Sequence, residues 1–367
     1  MSRESYLALV RGERRGLGPN LARLGLGCVS LPYGLGVALR NIAYGRGWTK
    51  THPAGVPVIS VGNLTLGGTG KTPCVEWLAN WCRGRDLRAA ILSRGYGALA
   101  GRNDEALVLE ENCPDVPHLQ GADRRALATI AVEELESEVL ILDDGFQHRR
   151  LGRDLDVVLV DATCPWGHGW LFPRGLLREP ASSLGRADVV LLTRCDMTSP
   201  AALSRLHEEV RRHAPGAPIA ESEHRPAAWV NGAKSLPADA FASRPVAAFC
   251  GLGNPDAFRR TLVSLGAEPI AWRTYPDHHA YSAADVEELS LWARALPPDA
   301  VIATTQKDLV KLRLDLLGER ELWALRIVLH LRAGAEELTR KLETIAVRTE
   351  DTERSSPCAT FLHQPEA

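Results

Sequence analysis

The chain has 367 residues, 45% hydrophobic and 24% charged, proportions ordinary for a soluble globular protein of about two domains. Its net charge of -2 argues against the basic excess that a nucleic-acid binder needs to neutralise phosphates. Eight scattered cysteines form no CxxC pair, which points to reduced thiols rather than a zinc or dithiol site.

The first fifty residues are strongly basic. Eight Arg and Lys residues face only Glu4 and Glu13, a net +6 that leaves about -8 for the remainder. Leu21, Leu24, Cys28, Leu31, Leu35, Ala38 and Ile42 recur at threes and fours, which predicts one apolar helical stripe. The uncharged stretch Leu24–Leu39 is shorter than a bilayer span, Pro32 is expected to kink it, and no signal-peptide cleavage pattern follows. Periodicity alone leaves two readings open. The helix either lies in a lipid interface with its arginines on anionic headgroups, or packs on the body of the protein.

A strand is predicted at Val56–Val61. It feeds Thr65-Leu66-Gly67-Gly68-Thr69-Gly70-Lys71-Thr72 and then a helix at Pro73–Arg83. A strand, a glycine-rich turn and Lys-Thr at a helix start describe a phosphate-binding loop, here ATP-binding. Lys71 is expected on the outer phosphates and Thr72 on Mg²⁺. The loop departs from the usual spacing at Thr65, where glycine is customary.

Further strands are predicted at Ala89–Leu92, Val139–Leu142, Val157–Val160 and Val189–Thr193, with a helix at Asp123–Glu134. The alternation predicts an α/β fold with a doubly wound, mostly parallel sheet over residues 51–223. Val139–Leu142 ends in Asp143-Asp144, at the strand end where such sheets bind ligands. Asp143 is expected to hold Mg²⁺, and Asp144 to ligate metal or act as a base. Polar clusters crowd other strand ends: Ser93-Arg94-Gly95-Tyr96-Gly97, Gln147-His148-Arg149-Arg150, Pro173-Arg174-Gly175 with Arg178-Glu179-Pro180, and Thr193-Arg194-Cys195-Asp196. Arginines there suit an anionic substrate.

Residues 224–244 read as an irregular linker. A second, smaller α/β domain over 245–347 is predicted from strands at Val246–Cys250, Ile270–Thr274, Val301–Thr304 and Leu322–Val328 and helices at Ala257–Leu265 and Ala283–Ala295. Ser282 reads as an N-cap, and His278 as a proton handler if the domains share a cleft. The tail at 348–367 reads as disordered.

These motifs, in this order, resemble the tetraacyldisaccharide 4'-kinase family. The resemblance rests on Thr65–Pro73, Leu92–Gly97, Asp143–His148, Leu177–Pro180, Gly251-Leu252-Gly253-Asn254-Pro255, Asp277-His278 and Thr305-Gln306-Lys307-Asp308. It implies an ATP- and Mg²⁺-dependent kinase of the 4'-hydroxyl of an acylated glucosamine disaccharide 1-phosphate, acting at the cytoplasmic face of a bacterial inner membrane. It also implies an N-terminal helix engaged with that membrane. Carried over by residue, it assigns Asp104 as base with His278, places Asp144, Gln147 and His148 at the catalytic centre, and gives Arg124, Arg178 and Glu179 polar roles towards substrate. Asn103-Asp104-Glu105-Ala106 keeps only the Asp-Glu core of the family's motif. Two rival classes are a phosphate-loop GTPase or metallochaperone-type switch and a kinase of a soluble small molecule. Thr193-Arg194-Cys195-Asp196 lacks the Asn-Lys pair usual in guanine-specific proteins.

Overall fold

The computed structural model of the protein describes residues 3–95 and 104–355. Helices α1 (Arg3–Val10) and α2 (Leu17–Gly45) precede an α/β unit. That unit comprises β1 (Val58–Asn63), α3 (Lys71–Arg83), β2 (Ala89–Ser93), α4 (Asp104–Asn112), β3 (His118–Gln120), α5 (Arg124–Glu133), β4 (Val139–Asp143), β5 (Leu155–Asp161), β6 (Val189–Thr193) and α6 (Pro200–His213). Its strands run parallel in the order β3-β2-β4-β1-β5-β6. Their continuous aliphatic runs are explained by cover on both faces. Ile59, Val61 and Ile141 pack with Val75 and Leu78 of α3, whereas Val58, Leu140 and Leu142 pack with Ala128 and Ala131 of α5. Alternate residues point to opposite faces, so one strand feeds two cores.

The expected linker is sheet instead. β7 (Ile219–Asn231) and β8 (Lys234–Pro237) fall within or across 224–244 and pair antiparallel from Ala228 to Pro237. Polar residues on a half-exposed strand alternate with buried ones, and Pro226 interrupts the run, so no apolar signature marked it. The second unit follows as β9 (Val246–Cys250), α7 (Pro255–Ser264), β10 (Pro269–Thr274), α8 (Ala283–Arg294), β11 (Val301–Thr305), α9 (Gln306–Leu312), β12 (Leu316–Leu317), β13 (Arg320–Ala333) and α10 (Ala335–Ser355). Ser282 caps α8 in a reciprocal capping box with Asp285, as its sequence predicts.

The two units share one sheet, joined by β7 and β13. β7 pairs with β6 at Ile219–Glu221 in parallel, then runs antiparallel to β13. β13 in turn pairs in parallel with β11 at Leu322–Leu325. A strand leaving the carboxyl edge of the first unit therefore lies beside one returning from the second. The carboxyl ends of β9 and β11 consequently point back towards those of β1 and β4, and the loops beyond both edges meet. α4 of the first unit packs on α9 of the second at that junction.

Two further expectations change. α2 is a continuous 29-residue helix through Pro32, roughly 43 Å long at 1.5 Å per residue. It is long and apolar enough to cross a bilayer. Pro32 sits on its exposed side, where the backbone bond it forfeits is not buried. The chain also remains helical to Ser355, past the expected start of a disordered tail. Leu338, Leu342 and Ile345 of α10 return to the first unit's core, which explains the order. Tyr96, Gly97, Asn103 and the tail beyond Ser355 lie outside the described residues.

Candidate active site

β1 delivers the chain to the phosphate loop, and α3 begins at Lys71. Gly67 (φ 113°) and Gly70 (φ 89°) occupy the left-handed region that favours glycine. Gly70 also lacks space: a Cβ there would stand 2.7 Å from Nε2 of His224 on β7. Gly70→Ala therefore strains the backbone and drives a methyl into the histidine. We expect a stability loss of about 1–3 kcal/mol together with weakened ATP binding, measured by thermal unfolding with and without nucleotide.

Asn63, at the end of β1, braces the loop. Its amide donates to the Thr65 carbonyl at 2.8 Å and to the Thr69 hydroxyl at 2.9 Å. Thr193 donates to the Thr69 carbonyl at 2.9 Å, and Arg194, paired with Asp161, donates to the Gly68 carbonyl at 2.7 Å. Thr65 is buried, and the Leu66 N–H donates to the Leu176 carbonyl at 2.7 Å. These two expected ATP-binding residues therefore frame the loop, and the amide cradle proper begins at Gly67. The side chain at Thr65 is tolerated because it packs inward, its methyl near Gly167.

The double acid follows β4, which lies beside β1. Asp143 is buried, and burial pushes its carboxyl up to about 7; Glu105 and Asp144 add to the rise while Lys71 opposes it. Its Oδ1 is buried with no hydrogen-bond partner. Among the described residues no group of three His, Cys, Asp or Glu side chains forms a ready metal cluster. A magnesium ion on phosphates needs only one or two protein oxygens, so the orphaned Asp143 oxygen and the Thr72 hydroxyl suit it. Asp144 has left-handed backbone (φ 54°). Burial works against its charge, but Lys71 at 3.4 Å and Arg178 at 2.7 Å hold its carboxyl below the usual range. Gln147 reaches the same group: it donates to the Asn63 carbonyl at 2.9 Å and accepts from Arg178 at 3.4 Å.

Asp104 opens α4, and His278 lies in the loop after β10 with φ 59°. His278 Nδ1 lies 2.8 and 3.1 Å from the two Asp104 oxygens. Burial tends to raise the Asp104 carboxyl, but His278, Lys307 and Lys311 bring it below its ordinary value. The hydrogen bond it donates to Asp104 raises the His278 imidazole. The histidine side chain is 56% exposed and that of the aspartate 11%. Lys307 at the start of α9 pairs with Glu105 at 3.2 Å, and Gln306 donates to Asn112 at 2.7 Å. Glu105 is also one of the charges felt by Asp143, which ties the Asp104–His278 pair to the phosphate-loop side of the cleft.

Arg124 is buried at the start of α5. Burial, then the charges of Arg124, Arg153 and Arg150, push the His148 imidazole down to about 4, so it is neutral at pH 7. Its Nε2 is buried without a partner. Glu179, an expected substrate contact, is instead fully buried: Arg40 (2.7 Å), Arg186 (2.9 Å) and Asn41 (2.8 Å) all donate to it. Its carboxylate is turned to α2 and the body rather than presented to the cleft.

Asn63, Asp161, His224 and the Lys307–Glu105 pair also stand at the site, though none is marked as a site residue by the sequence motifs. Asn63 carried the clearest signal, a polar residue closing an otherwise apolar strand just before the loop. The others become neighbours only through the sheet.

The family model described as Tetraacyldisaccharide-1-P 4'-kinase matches residues 22–346. A tetraacyldisaccharide 4'-kinase of Anaeromyxobacter sp. (strain Fw109-5) is 41% identical over 340 residues, covering 88% of this chain and 91% of that protein. One from Syntrophus aciditrophicus is 39% identical over 311 residues, covering 77% and 82%. The crystal structure of the "apo" form of LpxK from Aquifex aeolicus in complex with ATP superposes with a TM-score of 0.71 at 31% identity, covering 88% of this chain and 99% of that one. These likenesses favour the lipid kinase over the switch protein or soluble-substrate kinase.

Proposed function

The chain belongs to the tetraacyldisaccharide-1-P 4'-kinase family, and from that membership we propose how its residues divide the work. It is an ATP- and Mg²⁺-dependent enzyme of lipid A biosynthesis that phosphorylates the 4'-hydroxyl of a tetraacylated disaccharide 1-phosphate. The observation that carries the residue assignment is the Asp104–His278 contact across the two units, on the side of the cleft where Glu105 meets the charge of Asp143.

The Gly67–Thr72 amides and Lys71 bind and orient the triphosphate. Bound Mg²⁺ supplies charge neutralisation on the phosphates, with Thr72 and Asp143 to hold it. Arg178 and Lys71 keep Asp144 ionised and fixed beside the reacting centre. Arg124, Gln147 and neutral His148 contact the sugar and its phosphate.

The pair divides its roles by geometry. Asp104 directs both oxygens at Nδ1, and its lowered pKa makes it a weak base alone. Nε2 of His278 is the more open nitrogen, 3.9 Å from Asp277. The 4'-hydroxyl proton passes to Nε2 as the sugar oxygen bonds the γ-phosphorus, the bond to the β-phosphate oxygen breaks, and ADP leaves. Asp104 orients the ring and stabilises the imidazolium.

α2 seats the enzyme on the cytoplasmic surface of the inner membrane. Leu17, Leu21, Leu24, Leu31, Leu35, Leu39 and Ile42 are all exposed. The opposite face (Ser30, Tyr33, Val37, Asn41) docks on the protein. A helix docked along one side lies on a bilayer rather than crossing it, and nearby arginines meet anionic headgroups.

The test is transfer of the γ-phosphate of labelled ATP to a tetraacyl disaccharide 1-phosphate in mixed micelles. Absence of acceptor-dependent product overturns the kinase reading. On anionic vesicles, the double variant Leu31→Ser/Leu35→Ser is expected to weaken binding and raise the lipid KM at least about tenfold, since each leucine is worth roughly 1.5–3 kcal/mol when buried. Unchanged vesicle binding removes the membrane role of α2.

A further inference from the structure

Arg178 is tethered through its backbone N–H, its carbonyl and one guanidinium nitrogen. Its N–H donates to the Leu64 carbonyl at the mouth of the phosphate loop, 2.7 Å away. Its own carbonyl accepts from the Tyr33 hydroxyl of α2 at 2.8 Å. One guanidinium nitrogen donates to both oxygens of Asp144, at 2.9 and 2.7 Å. The next residue, Glu179, is buried and receives Arg40 and Asn41 of α2 together with Arg186. Three side chains of the lipid-facing helix thus grip two consecutive residues, one of which reaches into the active site.

A helix needed only for anchorage would be served by apolar packing on the body. A buried carboxylate demands its partners, because breaking such a set leaves charge stranded out of water. Its return is a defined geometry. Misplacement of a reacting constellation by about 1 Å can cost about 10²-fold in rate.

We propose that α2 is a positioning element of the active site: Tyr33, Arg40 and Asn41 fix the Arg178–Glu179 backbone and thereby set the guanidinium that holds Asp144. The proposal rests on the kinase reading above, and wild-type transfer to the lipid acceptor, measured first, tests that reading separately.

The decisive variant is Tyr33→Phe, which removes one hydroxyl and keeps the ring. In mixed micelles, kcat for the lipid acceptor falls about tenfold, while the lipid KM, anionic-vesicle binding and the ATP-induced thermal shift stay at wild-type values. Arg40→Ala lowers kcat in the same way, and Arg40→Lys, which keeps the charge on Glu179, recovers part of it. A kcat within twofold of wild type for both Tyr33→Phe and Arg40→Ala overturns the proposal. So does raised KM with weaker vesicle binding at unchanged kcat, which would leave α2 an anchor. A lowered melting temperature with kcat preserved below it would leave a merely structural contact and overturn it equally. If Tyr33→Phe does not fold, the comparison of Arg40→Lys with Arg40→Ala decides.

Discussion

Replacing Asp104 by Asn lowers kcat about 10²–10⁴-fold and leaves ATP affinity unchanged. The amide preserves the shape of the side chain but removes the charge that His278 Nδ1 faces at 2.8 Å. It can also offer its N–H₂ to Nδ1 and so favour the wrong tautomer, with the proton on the nitrogen that must accept one. ATP is gripped by the phosphate loop, so its binding, read by thermal shift, does not register the change.

The pH profile identifies the accepting atom. Asp104 raises the His278 imidazole above its ordinary 6.5. Below that raised value the ring is protonated and Nε2 has no lone pair to offer. Activity therefore falls with unit slope as pH drops through a point above 6.5, and it is full on the alkaline side. Asp104, lowered from 3.8, would instead stay ionised into the acid range. An acid limb below about 4 would return the base role to Asp104. Asp104→Asn removes the main group that raises His278 and leaves only Asp277, so the residual activity of that variant is expected to show its acid limb at lower pH.

Lys71→Ala is expected to cost about 10²–10³-fold in kcat, the size seen when one preorganised donor to developing charge is lost. The effect has two sources. One is the missing ammonium on the outer phosphates. The other is Asp144, which retains Arg178 but loses the cation 3.4 Å away, so negative charge accumulates beside an incoming polyanion. Lys71→Arg keeps the charge but not the compact ammonium, and it recovers little where the loop closes tightly around phosphate. An unimpaired Lys71→Ala in the γ-phosphate transfer assay would remove the loop from the reaction.

Local chemistry is written in short stretches and can be read there. Gly67 to Thr72 after an apolar strand announce a phosphate site because only that order gives free amides, a left-handed turn and a helix start together. Asp143-Asp144 at the end of Val139–Leu142 announces a cation site because parallel strands present their carboxyl ends to ligands. Ser282 announces a helix start through its cap.

Other parts have no such local mark. β7 carries Glu221, Glu223, His224 and Pro226, and from His224 onward it reads as a linker. It is a strand only because β6 and β13 supply the bonds its own pattern does not demand. Glu179 looks like a ligand for substrate in the motif Arg178-Glu179-Pro180. Its burial against Arg40, Asn41 and Arg186 depends on a helix nearly 140 residues earlier. α2 is legible as amphipathic, but its continuity through Pro32 and the direction of its apolar face follow from docking on the body.

Sequence by itself thus determined the α/β class, the nucleotide loop, the acidic strand tip and the amphipathic first helix, since each depends on residues within a few positions of one another. Tertiary structure alone decided that the carboxyl edges of the two units face each other, that Asp104 meets His278 across 174 positions, and that Glu179 serves α2. The reason is one of range: caps, turns and periodicity act within a few residues, whereas a shared cleft and a buried ion cluster arise only when distant segments are packed together.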